Sequence, residues 1–157
     1  MKKLVFLFAM VFVVSMAMAQ TNHSVVTESG EDQTATVDQQ GGWNESYVTQ
    51  SNADNEVTVT QINSHFWELN TTKSTVSQSG EDNEATVMQT HNGDLEARQG
   101  QLESEVYQSG DDNEAIQYQG PHGQLGTTYG LINQSGDDNF ASQNQVKYGN
   151  SATILQS

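Results

Sequence analysis

Polar and apolar residues alternate along most of this chain, and the alternation itself repeats. From Gln78 the chain reads Gln78-Ser79-Gly80-Glu81-Asp82-Asn83-Glu84-Ala85-Thr86-Val87-Met88-Gln89. From Gln108 it reads Gln108-Ser109-Gly110-Asp111-Asp112-Asn113-Glu114-Ala115 and reaches Gln119; from Gln134 it reads Gln134-Ser135-Gly136-Asp137-Asp138-Asn139-Phe140-Ala141 and reaches Gln145. All three fit Q-x-G-x-x-N-x-A-x-x-x-Q. Looser copies run from Glu28 through Gly30, Gln33 and Ala35 to Gln39, and from Gln50 through Asn55 and Val57 to Gln61. A second arm returns to the next copy as a small residue, an aliphatic residue and Gln, each two apart: Ser46-Val48-Gln50, Ser74-Val76-Gln78, Ser104-Val106-Gln108, Gly130-Ile132-Gln134 and Ala152-Ile154-Gln156. A spacing of two places the repeated residues on one face of a β-strand and the residues between them on the other.

Every change of length between copies falls after Gln39, Gln61, Gln89, Gln119 or Gln145, while the Gly-acidic-Asp connection keeps its length. One constant turn and one variable connection per repeat predict a two-strand rung. The fold class is therefore all-β: a β-solenoid of five strand-turn-strand rungs, stacked like a cross-β assembly with a rise of roughly 4.8 Å per rung. The turn glycines Gly30, Gly80, Gly110 and Gly136 supply the backbone freedom of a tight reversal. Stacking puts Ala35, Val57, Ala85, Ala115 and Ala141 in one core column and Val37, Val59, Val87, Gln117 and Gln143 in the next. Val48, Val76, Val106, Ile132 and Ile154 form an apolar column from the second arms. Two glutamine columns are expected as amide ladders: Gln39, Gln61, Gln89, Gln119 and Gln145, and Gln50, Gln78, Gln108, Gln134 and Gln156. Asn55, Asn83, Asn113 and Asn139 form a third. A primary amide carries donors and an acceptor, so stacked copies can satisfy one another along the axis.

Residues 1–19 are set apart from this pattern. Lys2 and Lys3, an apolar run from Leu4 to Val14, and Ala17-Met18-Ala19 read as a signal peptide with its cleavage site. The run is too short to span a bilayer, and no membrane span is expected after cleavage. Residues 20–27 are expected as an N-terminal segment and 28–157 as the repeat domain, with repeats at 28–49, 50–77, 78–107, 108–133 and 134–156. Beyond the signal, Leu, Ile, Val and Phe make up only 22 of 138 residues, a fraction that by itself predicts disorder. The constant spacing outweighs composition here, because a stacked chain buries between rungs what it cannot bury in a globule. Three basic residues face 20 acidic ones after the signal, which excludes nucleic acid and anionic lipid as partners. There is no cysteine, so no disulfide staples the fold.

Catalytic and metal chemistry find no pattern. His23, His65, His91 and His122 lack metal-ligand spacing, and the carboxylates sit in repeated turns, not as one paired site. No enzyme activity, metal or cofactor is expected. The paired acids Glu31-Asp32, Glu81-Asp82, Asp111-Asp112 and Asp137-Asp138 would stack as like charges. Asp32, Asp82, Asp112 and Asp138 then read as gatekeepers that slow self-association until acid or salt relieves the repulsion. Trp43 and the segment His65-Phe66-Trp67 lie in variable connections, where aromatics serve recognition or fold back over a strand face. Recognition by these aromatics is the alternative function, a secreted β-solenoid adhesin or binding module.

The repeated Gln, Gly, Asn, Ala and Gln positions resemble the curlin repeat of the curli subunits, the amyloid fibres of bacterial biofilm matrices. The resemblance covers residues 28–156. It implies a β-solenoid that polymerises end to end into an extracellular fibre for biofilm matrix, surface adhesion and cell aggregation. The partners it implies are further copies of the chain, a nucleator subunit at the cell surface and an outer-membrane export pore. Connections longer than the short turns usual in that family, and the heavy acidic load, leave open whether this is a main subunit, a nucleator or a decorated relative.

Overall fold

The computed structural model describes residues 21–64, 70–91, 100–120, 126–146 and 149–157. Eleven strands follow one another: β1 (His23–Glu31), β2 (Thr34–Gly41), β3 (Asn44–Ala53), β4 (Glu56–Asn63), β5 (Asn70–Glu81), β6 (Glu84–His91), β7 (Gly100–Ser109), β8 (Glu114–Gln119), β9 (Gly126–Ser135), β10 (Phe140–Gln145) and β11 (Ser151–Gln156). Odd strands form a six-stranded sheet in the order β1-β3-β5-β7-β9-β11, and even strands a five-stranded sheet in the order β10-β8-β6-β4-β2. All neighbours within a sheet are parallel. The chain passes from one sheet to the other at every turn, so it coils, and the fold is a β-solenoid.

Register follows the repeat. Val57 pairs with Ala85 and Gln61 with Gln89 between β4 and β6, and Ser74 pairs with Ser104 and Gln78 with Gln108 between β5 and β7. A slip of one residue would turn each inward row to solvent. The constant turn is made by two residues in left-handed conformation. In the third copy these are Gly80 at φ 114° and Asp82 at φ 54°. A Cβ on Gly80 would lie 2.0 Å from the carbonyl oxygen of Gly110 in the next turn. Glycine is required there by close stacking as well as by backbone angle. Asp32, Asp54, Asp82, Asp112 and Asp138 share the positive φ, which aspartate tolerates better than most residues. In the second copy Asn52, at φ 81°, takes the glycine's place.

One boundary differs from the sequence expectation. The solenoid does not start at Glu28. Strand β1 begins at His23, and Ser24, Val26 and Glu28 stack on Ser46, Val48 and Gln50. Residues 24–28 are a sixth copy of the second arm. The copy escapes the pattern because its last position holds Glu where the others hold Gln.

The core runs along the axis as a stack of Val48, Val57, Val59, Val76, Ala85, Val87, Val106, Ala115, Ile132 and Ala141. Val26, Ala35, Val37 and Ile154 complete the same columns and are only partly buried, because they belong to the end coils. Among the described residues 23 buried polar side chains accompany 11 buried hydrophobic ones. Such an interior holds only if its polar groups bond to each other, since an unpaired one costs about 1–3 kcal/mol.

Candidate assembly interface

The polar interior is built from ladders. In the first, Gln39 Nε2 donates to Gln61 Oε1 at 2.8 Å, Gln61 to Gln89 at 2.8 Å, Gln89 to Gln119 at 2.8 Å and Gln119 to Gln145 at 3.1 Å. In the second, Gln50 donates to Gln78 at 3.0 Å, Gln78 to Gln108 at 2.8 Å, Gln108 to Gln134 at 3.0 Å and Gln134 to Gln156 at 3.0 Å. The second N–H of each amide reaches across the coil to a backbone carbonyl, as from Gln89 to Lys73 O at 2.8 Å and from Gln108 to Glu84 O at 3.0 Å. Each glutamine thus joins neighbouring coils and also ties the two sheets together.

The asparagine column runs in the opposite sense. Asn83 Nδ2 donates back to Asn55 Oδ1 at 3.0 Å, Asn113 to Asn83 at 2.9 Å and Asn139 to Asn113 at 2.9 Å. The backbone N–H of each later asparagine shares that acceptor. The other Nδ2 hydrogen of Asn55, Asn83 and Asn113 closes the turn on the carbonyl of Gly80, Gly110 and Gly136 in the following coil. Amide-to-amide bonds therefore run toward the C-terminal end of the stack in the glutamine ladders and toward the N-terminal end in the asparagine ladder.

Two features escaped the sequence reading. Gln117 and Gln143 occupy a column that holds valine in earlier coils, and they form a short fourth ladder, with Gln117 Nε2 donating to Gln143 Oε1 at 2.7 Å. Ser104 Oγ donates to Gln117 Oε1. Space for these longer side chains comes from Gly130, where a Cβ would lie 1.8 Å from Gln117 Nε2. The Val-to-Gln and Ser-to-Gly changes sit in different arms, and their connection is visible only across the core. The second feature concerns the acids. Asp111 Oδ1 accepts the backbone N–H of Glu81 at 2.9 Å, and Asp137 Oδ1 that of Asp111 at 3.1 Å. These carboxylates bind the preceding turn as well as crowding it. Asp32, Asp82, Asp112 and Asp138 are exposed beside them.

The remaining candidates are scattered. His23 packs its ring against Tyr47 with centroids 5.7 Å apart, and His91 is buried at the end of β6. Trp43 is half-buried at the short turn before β3. His65, Phe66, Trp67 and His122 lie outside the described residues.

The two ends of the stack are unsealed. β1 and β2 each have a strand partner on one side only, as do β10 and β11. Buried polar atoms without a partner occur at both ends, including Ser24 Oγ, Gln33 Oε1 and Gln50 Oε1 near the first coil and Gln143 Nε2 at the last. Ladders, parallel coils and uncapped ends together define a β-solenoid repeat protein with a polar, hydrogen-bonded interior. Within that class, residues 30–62, from the first constant turn into β4, match the family model of the curlin associated repeat. In that stretch the chain is similar to the curlin associated repeat. No curated protein and no solved structure matches the chain. No helix among the described residues is long and apolar enough to cross a membrane.

Proposed function

We propose that this protein is the subunit of an extracellular curli-like amyloid fibre that serves biofilm matrix, surface adhesion and cell aggregation. One observation carries the reading: the odd-strand sheet ends in two open edges, β1 and β11, that share one ladder register. The last coil ends the glutamine ladders on the amide groups of Gln145 and Gln156 and leaves Gln143 Nε2 unpaired. The first coil begins them on Gln39 Oε1 and the Glu28 carboxyl, with the unpaired Ser24 Oγ beside them. When β1 of one copy stacks on β11 of another, the Gln156 amide meets the Glu28 carboxyl and that ladder continues between copies. Such a head-to-tail contact does not close on itself and generates a filament. Edge strands β1 and β11 pair in this step and remove two exposed edges of the odd-strand sheet, which already extends one strand beyond β10.

Residues 1–19 direct export, and the fibre reading brings with it a surface nucleator and an outer-membrane pore as partners. Asp32, Asp82, Asp112 and Asp138 keep subunits apart during export by like-charge repulsion along the turn rim. The test is to hold the exported chain monomeric in denaturant, remove the denaturant, and follow thioflavin fluorescence and fibre diffraction. A lag, then growth, with reflections near about 4.7 Å and about 10 Å, is expected. A soluble β-rich monomer that never forms fibres would overturn the reading in favour of a secreted binding module.

A further inference from the structure

The second glutamine ladder begins with a carboxylic acid. Glu28 pairs in register with Gln50, and every later position in the column is glutamine. Gln50 directs its Nε2 to Thr34 O at 3.2 Å, Asn55 O at 2.8 Å and Gln78 Oε1 at 3.0 Å. Its own Oε1 is buried and receives no donor. The same atom in Gln78, Gln108, Gln134 and Gln156 accepts from the preceding coil. Gln50 is therefore the one member of this glutamine ladder left without its donor, and the residue standing where that donor belongs is Glu28. An ionised carboxylate only accepts, whereas a neutral carboxyl has one O–H to donate and an oxygen left to accept. Neutral Glu28 reproduces the hydrogen-bonding of glutamine in this column, and ionised Glu28 sets two acceptors against each other.

We propose that Glu28 is a proton-operated joint between copies: as the last coil of one copy stacks on the first coil of another, Glu28 takes a proton from solvent, donates it in a hydrogen bond to Gln50 Oε1, and accepts from Gln156 Nε2 of the other copy. The inference rests on the fibre reading above and adds its regulation. No bond other than the carboxyl O–H is made, and each subunit added consumes one proton.

The surroundings favour this. Glu28 is exposed in the single chain and its slight desolvation already raises its carboxyl above the ordinary value; a covering copy removes the remaining water, which pushes in the same direction. The other titratable groups on β1 and its turn are His23, Glu31 and Asp32. Those on the neighbouring elements are Glu45 and Tyr47 on β3, Asp54 after it, Asp38 on β2 and Glu56 on β4. Glu45, Tyr47, Asp38 and Glu56 occupy outward positions of their strands. Strands β1 to β4 contain no Lys or Arg to hold Glu28 ionised. Strands β10 and β11, at the opposing end of the other copy, carry no ionisable side chain. The sign is fixed: a group whose value rises on assembly strengthens assembly at low pH, and that strength is lost as pH climbs through the raised value, above the usual glutamate value of about 4.3.

The test is seeded elongation of purified wild-type and Glu28→Gln protein between acid and neutral pH, each on its own sheared fibres. The ratio of the two rates cancels the repulsion of the turn acids, which both proteins share. It is expected to stay near one in acid and to rise roughly tenfold per pH unit once Glu28 ionises in the free subunit. Glu31→Gln removes the same charge from the adjacent turn, outside the ladder, and is expected to give a flat ratio. Proton uptake in weakly buffered solution near neutral pH should be about one per added subunit greater for wild type than for Glu28→Gln. A flat Glu28→Gln ratio, an equal rise with Glu31→Gln, or no difference in proton uptake overturns the joint while leaving the fibre reading intact. Failure of wild type to form fibres at any pH overturns the fibre reading itself, and the joint with it.

Discussion

An interior coil and an end coil of this solenoid carry almost the same residues in different surroundings. Gln89 in β6 accepts from Gln61, donates to Gln119 and bonds the Lys73 carbonyl. Gln145, the same residue type in β10, accepts from Gln119 and bonds the Tyr129 carbonyl, and no further coil follows it. Gly110 has the carbonyl of Gly136 packed where its Cβ would be, while around Gly136 nothing approaches closer than 3.9 Å. The difference teaches that the repeated residues are addressed to the coil on each side. Among the described residues an end coil has the same side chains with partners on one side only.

The largest test of this contrast is Gln89→Ala. It leaves a cavity, removes the donor to Gln119 Oε1 and the acceptor of Gln61, and is expected to cost about 4 kcal/mol in urea unfolding of the monomer. Gln145→Ala removes partners on one side only and should cost roughly half as much. Equal losses would break the comparison. Next come the glycines. Gly80→Ala meets the Gly110 carbonyl at 2.0 Å and is expected to cost about 3 kcal/mol. Gly136→Ala meets only backbone strain, about 1 kcal/mol in the monomer. A loss with Gly136→Ala as large as with Gly80→Ala would break the contrast between the interior and the end turn.

A smaller effect sharpens the contrast across the core. Gly130→Ser restores the small hydroxyl residue of the column but drives its Cβ into Gln117, for about 2 kcal/mol. Gln117→Val should recover most of that loss, and a double-mutant cycle in urea measures the coupling. The smallest effect lies on the outer surface. Tyr129 Oη donates to Glu105 Oε2 at 3.0 Å. Burial first, and then this bond and the Glu105 charge, raise its hydroxyl from its ordinary value to about 12. Stability from the neutral hydroxyl is therefore whole below about pH 10 and is lost as pH rises toward about 12. Tyr129→Phe should remove that alkaline slope and change little at neutral pH, where the outer face adds much less than the ladders.

The amino-acid sequence by itself determined which residues share a column. Alternation by two assigns each residue to the inward or outward face. The unbroken spacing from Gln50 to Gln61, Gln78 to Gln89, Gln108 to Gln119 and Gln134 to Gln145 then fixes register, because any slip would carry every inward Gln and Val to solvent. Tertiary structure decided what those columns meet. That Ser24, Val26 and Glu28 form a first coil appears only once β3 is there to pair with them. That Gly130 makes room for Gln117 depends on which residues of opposite sheets face each other across the core. The opposite polarity of the glutamine and asparagine ladders follows from which backbone carbonyls lie within reach of each amide. Periodicity along a chain encodes neighbours along the solenoid axis, because stacking repeats the same step. Neighbours across the coil are set by the width and rise of the coil, which no spacing in the sequence records.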